Sequence, residues 1–331
     1  MAPPGVVHER SRLVREMRSY LVRMPTRRLP NAVCAAVCAL IFLAPDVALA
    51  WLSPGHMATG AIAYDSLERR DPAAVNAIVA IERSHPDHAR FDRLLGDAQG
   101  KARERKLFEL MARWPDDARG GPYDHPNWHY SEKIQSPMRY LLPFAWGRAR
   151  GAYLDALRTA RDPHAPLTGR AVALCWIIHI IGDMHEPEHA GLWMSARFPL
   201  TDQAGNAAWV RTSPDMRPEK LHWLWDSAGA NDPDEGRRRD ADTFAARLEA
   251  EHPDPGLPAP ADPSKAFDVW TDESRDIARH VAYQDGALDL GVSPERAPVL
   301  PPGYVAKVQD VGDARLALAG YRIASVLQGL R

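Results

Sequence analysis

The stretch Cys175-Trp176-Ile177-Ile178-His179-Ile180-Ile181-Gly182-Asp183-Met184-His185-Glu186-Pro187-Glu188-His189 decides how the rest of the chain is read. It opens as an apolar run suited to a buried helix and closes crowded with side chains that bind cations. On a helix, His179 and Asp183 are four residues apart and share one face, about one turn from each other. Pro187 has no N–H to give and its ring clashes with the preceding turn, so a helix over 168–186 is expected to stop there. His189 follows in the loop, where the chain can swing back toward the same point. An imidazole and a carboxylate on an apolar face are costly to bury unpaired, and a divalent metal is the obvious partner.

A second pair lies downstream in Leu221-His222-Trp223-Leu224-Trp225-Asp226, again His and Asp four apart among large apolar residues. One such pair alone reads as readily as a salt bridge or a helix end. Two pairs with His189 between them offer the nitrogen and oxygen donors of a zinc site.

Residues 1–50 read as a signal peptide outside the fold. A basic region (Arg10 to Arg28) precedes the apolar run from Ala32 to Ala44, and Ala48-Leu49-Ala50 has the form of a cleavage site. The run is short for a membrane span. A start at Met17 or Met24 and an uncleaved anchor are the alternatives. Export to the periplasm or beyond is the expectation, with the mature domain over 51–331.

Cleavage after Ala50 would take 50 of 331 residues and leave 281, beginning with Trp51. Cys34 and Cys38 would leave with the leader, so Cys175 alone remains and no intrachain disulfide is possible. For an exported protein that is unusual. Metal ions can cross-link instead, because binding at a site absent from the unfolded chain becomes folding free energy. The leader holds 7 of the 41 basic and 3 of the 43 acidic residues, which leaves 34 against 40 and a net charge near −6. No basic patch of the kind that drives non-specific duplex binding is present, so a polyanionic substrate would have to be held by metals and a few local groups.

Helix follows helix along the mature chain: Pro54 to Leu67, Pro72 to about Arg83, Lys101 to Arg113, Phe144 to Arg161, the central helix, Ala266 to Val281, and Pro302 to Leu330. β-branched alternation is nearly absent, and Pro253 to Pro263 reads as a surface loop. Arg237-Arg238-Arg239 reads as a solvated face. The fold class is all-α, one compact multi-helix domain.

With a metal centre suspected, three further positions matter: His56 in Trp51-Leu52-Ser53-Pro54-Gly55-His56, Asp116 in Arg113-Trp114-Pro115-Asp116-Asp117-Ala118-Arg119, and His129 in Pro126-Asn127-Trp128-His129-Tyr130. Over these elements and the two pairs, essentially the whole mature chain resembles the zinc-dependent, single-strand-specific nucleases of the S-one/P-one type, related to bacterial zinc phospholipases C. That family begins at a tryptophan whose α-amino nitrogen and carbonyl oxygen bind zinc, followed by Gly-His, which falls on Trp51 and His56. Its W-A-D-x-x-R element falls on Asp116 and Arg119, its W-H-Y on His129, its H-F-x-G-D-x-H-Q-P-L-H on His179, Asp183 and His189, and its L-H-x-x-W-D on His222 and Asp226.

The resemblance implies three zincs per chain in one cleft. Trp51, His56 and Asp183 would hold the first, Asp116, His129, His179 and the bridging Asp183 the second, and His189, His222 and Asp226 a third that stays open to water or substrate. Asp116 would orient the attacking water and Arg119 neutralise charge on the phosphoryl group, for which a planar guanidinium suits better than an ammonium. Tyr130 would stack a base, Glu132 stands where the family has a base-binding aspartate, and Gly205-Asn206 matches the end of a G-G-N element, with Ala204 in place of its first glycine. The implied partners are single-stranded DNA and RNA and 3′-nucleotides, cut to 5′-phosphate products by a monomer.

Departures are visible. The family's Q-P-L-H stands as Glu186-Pro187-Glu188-His189, two extra carboxylates expected either to face the cleft or to stand just behind the metal ligands, where they would weaken polynucleotide binding by repulsion, and Leu192-Trp193-Met194 is expected to add apolar surface. His185 reads as structural, and His125 belongs to the turn before His129. His85, His88, His164, His252 and His280 read as surface or packing residues. Trp114, Trp128, Trp176, Trp223 and Trp225 read as core, and Cys175 as a small core hydrophobe. Two rival functions remain: a zinc phospholipase C, against which Asp226 argues because those enzymes resemble this pattern with glutamate at that position, and a non-catalytic, zinc-stabilised exported protein.

Overall fold

A computed structural model describes residues 51–136, 145–228 and 233–330. The expected leader and its cleavage site, over 1–50, lie outside the described residues, as does Phe144.

The helices begin where the sequence supplies caps. α1 (Ser53–Arg70) has Pro54 in its first turn, and Asp71 ends it while capping α2 (Pro72–Glu82) by accepting from Ala74 N at 3.1 Å. α3 (His88–Leu95) and α4 (Gly100–Asp117) follow. After a 3₁₀ turn over Pro126–His129 come β1 (Glu132–Gln135), β2 (Ala145–Trp146), α5 (Ala149–Arg161) and α6 (Leu167–Asp183). A second 3₁₀ turn over Pro187–His189 leads to β3 (Gly191–Trp193), β4 (Trp209–Val210), β5 (Glu219–Lys220) and α7 (Leu221–Asp226). α8 (Pro233–Arg238), α9 (Ala241–Glu251), α10 (Pro263–Ile277) and α11 (Tyr304–Gln328) complete the chain. Asp262 caps α10 by accepting from Ser264 N at 3.0 Å and Lys265 N at 3.2 Å.

The fold is all-α with small sheet additions. β1 pairs antiparallel with β2 and parallel with β3, Ile134 opposite Leu192, and β4 pairs antiparallel with β5. Among the described residues no helix is long and apolar enough to cross a membrane. Among the described residues, three larger apolar clusters and a small fourth one of Ile134, Leu192 and Ala204 make up the interior. The largest packs α6 side chains such as Trp176 and Ile178 against Phe108, Met111, Trp114 and Tyr153. A second gathers Trp193, Trp225, Tyr283 and Tyr304, and a third gathers Trp51, Ile62, Phe244 and Tyr321. α6 belongs to the first, α7 to the second and Trp51 to the third, so the elements that carry the metal-type side chains are anchored in all three.

Several boundaries and placements differ from the sequence reading. The helix expected from Phe144 starts at Ala149, because Ala145 and Trp146 pair with β1 and Gly147 turns the chain at φ +93, a conformation glycine adopts without strain. The central helix ends at Asp183, three residues before the proline-based estimate. The π turn over Ala278–Ala282 follows α10 where a continuous helix was expected. Leu192 and Trp193 are interior strand residues, at 6% and 4% exposure, rather than added surface, because β3 is covered on both sides.

Candidate metal centre

α6 positions the centre. Every residue from Ala173 to Ala190 is buried, so the apolar run carries His179 and Asp183 into the interior. His179 Nδ1 donates to Ala112 O of α4 at 2.7 Å, which leaves the Nε2 lone pair facing Asp183 Oδ2 at 3.3 Å. His56 of α1 sets Nε2 at 3.3 Å from the other oxygen, Asp183 Oδ1. Its ring stacks on His179 with centroids 4.1 Å apart and lies against Gly182, where an added Cβ would sit 3.1 Å from His56 Nδ1. His129, at the end of its 3₁₀ turn, places Nδ1 at 3.0 Å from Asp183 Oδ2 and 2.9 Å from His179 Nε2. Asp116, in the last turn of α4, brings Oδ1 to 3.9 Å from His179 Nε2 and Oδ2 to 3.9 Å from His56 Nε2. The two oxygens of Asp183 are thus shared between His56 on one side and His129 and His179 on the other.

A second grouping lies beside the first. His189 Nδ1 donates to His129 O at 2.7 Å, so its Nε2 carries the lone pair. His222 Nε2 lies 3.3 Å from Asp226 Oδ2 and its Nδ1 lies 3.3 Å from Glu188 Oε2, a carboxylate–histidine arrangement that orients a ring for a metal. The His189 and His222 rings stack at 5.2 Å. Ligand-type atoms of His189, His222, Asp226 and Glu186 all lie within 4.8 Å of one another, as do those of His56, His179 and Asp183 and those of Asp116, His129 and His179. Trp51 ties the groupings together: its indole donates to Gly182 O at 3.0 Å, and Leu52 N donates to Asp226 O at 2.9 Å.

These residues fit divalent metal. Zinc with bonds of 2.0–2.1 Å holds tetrahedral neighbours about 3.3 Å apart, the spacing of the His56–Asp183, His179–Asp183 and His222–Asp226 pairs. Both nitrogens of His56, Nε2 of His129 and His189, and Oδ1 of Asp183 and Asp226 are buried without a hydrogen bond, although such atoms are nearly always satisfied. Burial first, then neighbouring His179 and Arg119, holds His56 and His129 well below the ordinary histidine value. Burial and His222 do the same to His189. The rings are neutral and can donate lone pairs. Burial and then Asp116 push Asp183 well above the usual carboxylate range, and burial followed by Glu186 and Glu188 does so for Asp226. The pocket holds more carboxylate than it can ionise alone, a balance that divalent cations reverse.

The other expected site residues divide. Arg119 donates through Nε and Nη2 to Asp116 Oδ1, at 3.2 and 2.7 Å. Tyr130 is half-buried, its ring 4.5 Å from that of His189. Glu132 is 4% exposed, and burial together with Asp202, Glu186 and Glu188 pushes its carboxyl well up. It belongs to an interior acidic group rather than an open rim. Asn206 bonds within its own loop, Nδ2 to Gln203 O at 3.0 Å, and Ala204 holds φ +54, the left-handed region that explains a glycine there.

Of the two placements expected for Glu186 and Glu188, facing the cleft or standing behind the metal-type side chains, the structure favours the second: both are fully buried, so repulsion of polynucleotide from an open surface is not their effect. Asp202 and Tyr283, joined at 2.7 Å, had no sequence signal; only tertiary packing brings them beside Glu188. His185 is structural, with Nδ1 donating to Ile181 O at 2.7 Å and Arg322 donating to Nε2 at 2.9 Å. Glu82, His85 and Cys175 form a further buried grouping. There, Asp87 N donates to His85 Nδ1 at 3.0 Å, which puts the ring proton on Nε2. Burial raises both Glu82 and Cys175, so this grouping reads as a neutral polar cluster inside the core.

Residues 51–330 match the family model for S1/P1 nuclease. No curated protein matches the chain.

Proposed function

The chain belongs to the S1/P1 nuclease family, a zinc-dependent family of phosphodiester hydrolases, and from that premise we propose that it is an exported single-strand nuclease carrying three zincs. In this reading it cuts single-stranded DNA and RNA to 5′-phosphate products and removes phosphate from 3′-nucleotides. The observation that carries the reading is Asp183, whose two oxygens face His56 at 3.3 Å and the His129–His179 pair at 3.0 and 3.3 Å. A carboxylate so divided suits two adjacent cations. Trp51, His56 and Asp183 would hold one, Asp116, His129, His179 and Asp183 another, and His189, His222 and Asp226 the third.

Bound zinc would supply an acidified water and Lewis-acid stabilisation of the phosphoryl and leaving oxygens. The chain's own groups do the rest. Arg119 grips Asp116 by one oxygen, Oδ1, and so leaves Oδ2 turned toward His56, where it can accept a proton from the attacking water. The guanidinium, held beside the reacting phosphate, neutralises charge as it builds. The water oxygen bonds to phosphorus, the bond to the 3′ oxygen breaks, and a proton returns to that oxygen. Tyr130, its ring 4.5 Å from that of His189, would stack a base, a contact that tolerates any sequence. The amino group of Trp51 is free to bind metal only after cleavage at Ala50, which would confine activity to the exported chain.

The test is digestion of heat-denatured and duplex DNA by the chain beginning at Trp51. Mononucleotides with 5′-phosphate ends should appear from the denatured strand alone, vanish with chelator and return with zinc. Hydrolysis of phosphatidylcholine without cleavage of DNA would overturn the proposal.

A further inference from the structure

We propose that Glu186 is a fourth protein ligand of the third metal position, so that in this chain two imidazoles and two carboxylates, His189, His222, Asp226 and Glu186, enclose that metal. The inference rests on the reading of the site as a zinc centre and concerns one residue by which this chain departs from the family it belongs to. A carboxylate oxygen of Glu186 lies within 4.8 Å of a ligand-type atom of each of the other three. Glu186 is fully buried. Oε2 accepts from His189 N at 2.7 Å, and Oε1 is buried with no hydrogen bond.

Two features of Glu186 separate this role from a structural one. First, the bond to His189 N needs only an acceptor oxygen, which the amide of the family's glutamine supplies equally well. The capping contact therefore gives no reason for a carboxylate. Second, a fully buried carboxylate is costly unless a cation is at hand. Arg315 is the guanidinium that senses Glu186, but it gives its N–H groups to Glu273 at 2.8 Å, Ser274 at 2.8 Å, and the carbonyls of His185 and Trp270. A metal among the four ligand atoms answers both points, and the bond from His189 N to Oε2 fixes the carboxylate beside the other three side chains.

The consequence concerns how substrate reaches this metal. Zinc sites that catalyse keep a position open, whereas four protein ligands complete a tetrahedron. With Glu186 among its ligands a third metal would be held more tightly than by three side chains, and substrate would have to reach it past Glu186.

The experiment compares metal content of the wild-type chain beginning at Trp51, E186Q and D226N, by titration against a zinc chelator and by cobalt substitution followed in the visible spectrum. The glutamine keeps the acceptor for His189 N, so fold and the two metals at Asp183 should be unaffected. The wild type should retain three zincs. In E186Q the third should bind about 100-fold more weakly, the upper end of what removing even an outer partner of a ligand costs. Its cobalt spectrum should change as it does in D226N, which reports on the same position. Should E186Q fail to fold, E186D replaces it; the shorter carboxylate should give an intermediate affinity. Three zincs held equally by wild type and variant, with the loss confined to D226N, would overturn the role of Glu186 and leave the zinc centre standing. Fewer than three zincs in the wild type would overturn the centre and this inference together.

Discussion

Replacing Asp183 by Asn is expected to have an effect whose sign depends on metal. With zinc present, the change removes an oxygen ligand from each of the two metals that share Asp183, because one oxygen faces His56 and the other faces His129 and His179. Losing an outer partner of a ligand already costs 10–100-fold in affinity, so a ligand itself should cost at least about 100-fold. That is about 2.7 kcal/mol of lost stabilisation per metal near saturation, or roughly 5 kcal/mol for the two. At 2–4 °C per kcal/mol for a domain somewhat smaller than this one, the melting temperature should fall by roughly 10–20 °C.

In chelator the sign changes. Burial and Asp116 raise Asp183 above its unfolded value, so above about pH 4 the folded state holds a proton the unfolded state releases, and stability declines as pH rises. An amide carries no such cost. Calorimetry at pH 7 should therefore find D183N as stable as the wild type or more stable in excess EDTA, and much less stable in stoichiometric zinc. A variant that melts below the wild type in EDTA and level with it in zinc would refute the reasoning.

Arg119→Lys should lower kcat about 10²–10³-fold while leaving zinc content unchanged, since an ammonium cannot reproduce the two bonds to Asp116; metal analysis beside the rate measurement checks both halves. Glu109 is pushed up to about 8 by burial and then by Asp242, with Arg105 opposing. The folded state thus keeps a proton that the unfolded state loses near pH 4.5, and stability from this group falls as pH rises from about 4.5 to 8. Glu109→Gln should flatten that slope in urea unfolding at pH 5, 6.5 and 8, and an unchanged slope would count against the buried carboxyl. A chain retaining Ala50 should bind two zincs where the chain beginning at Trp51 binds three, measured by metal analysis; equal counts would show that the α-amino group is not a ligand.

The sequence carried the metal groupings because their geometry is local. His179–Asp183 and His222–Asp226 are each one helical turn apart, and a turn is legible from spacing alone. His189 was legible too, since a proline turn brings it back onto the carbonyl of His129. What spacing left open was burial. Acidic residues after a helix are most often solvated, so Glu186 and Glu188 could be placed in the cleft or behind it, whereas both are fully buried and Glu188 lies against Gly205. The strands were invisible for a related reason. Segments of two to four residues are too short to alternate, and pairing such as Ile134 with Leu192 is set by tertiary contact. The central helix ended at Asp183 rather than Glu186 because Pro187 opens its own 3₁₀ turn, and a breaker marks only the latest point at which a helix can stop.

The most direct test of the centre is anomalous diffraction at the zinc edge from crystals of the chain beginning at Trp51. The account requires three peaks: two on either side of Asp183, separated by about 3.5–4 Å or less as in paired-metal sites, and one enclosed by His189, His222, Asp226 and Glu186. A single peak, or none touching Asp183, would contradict it.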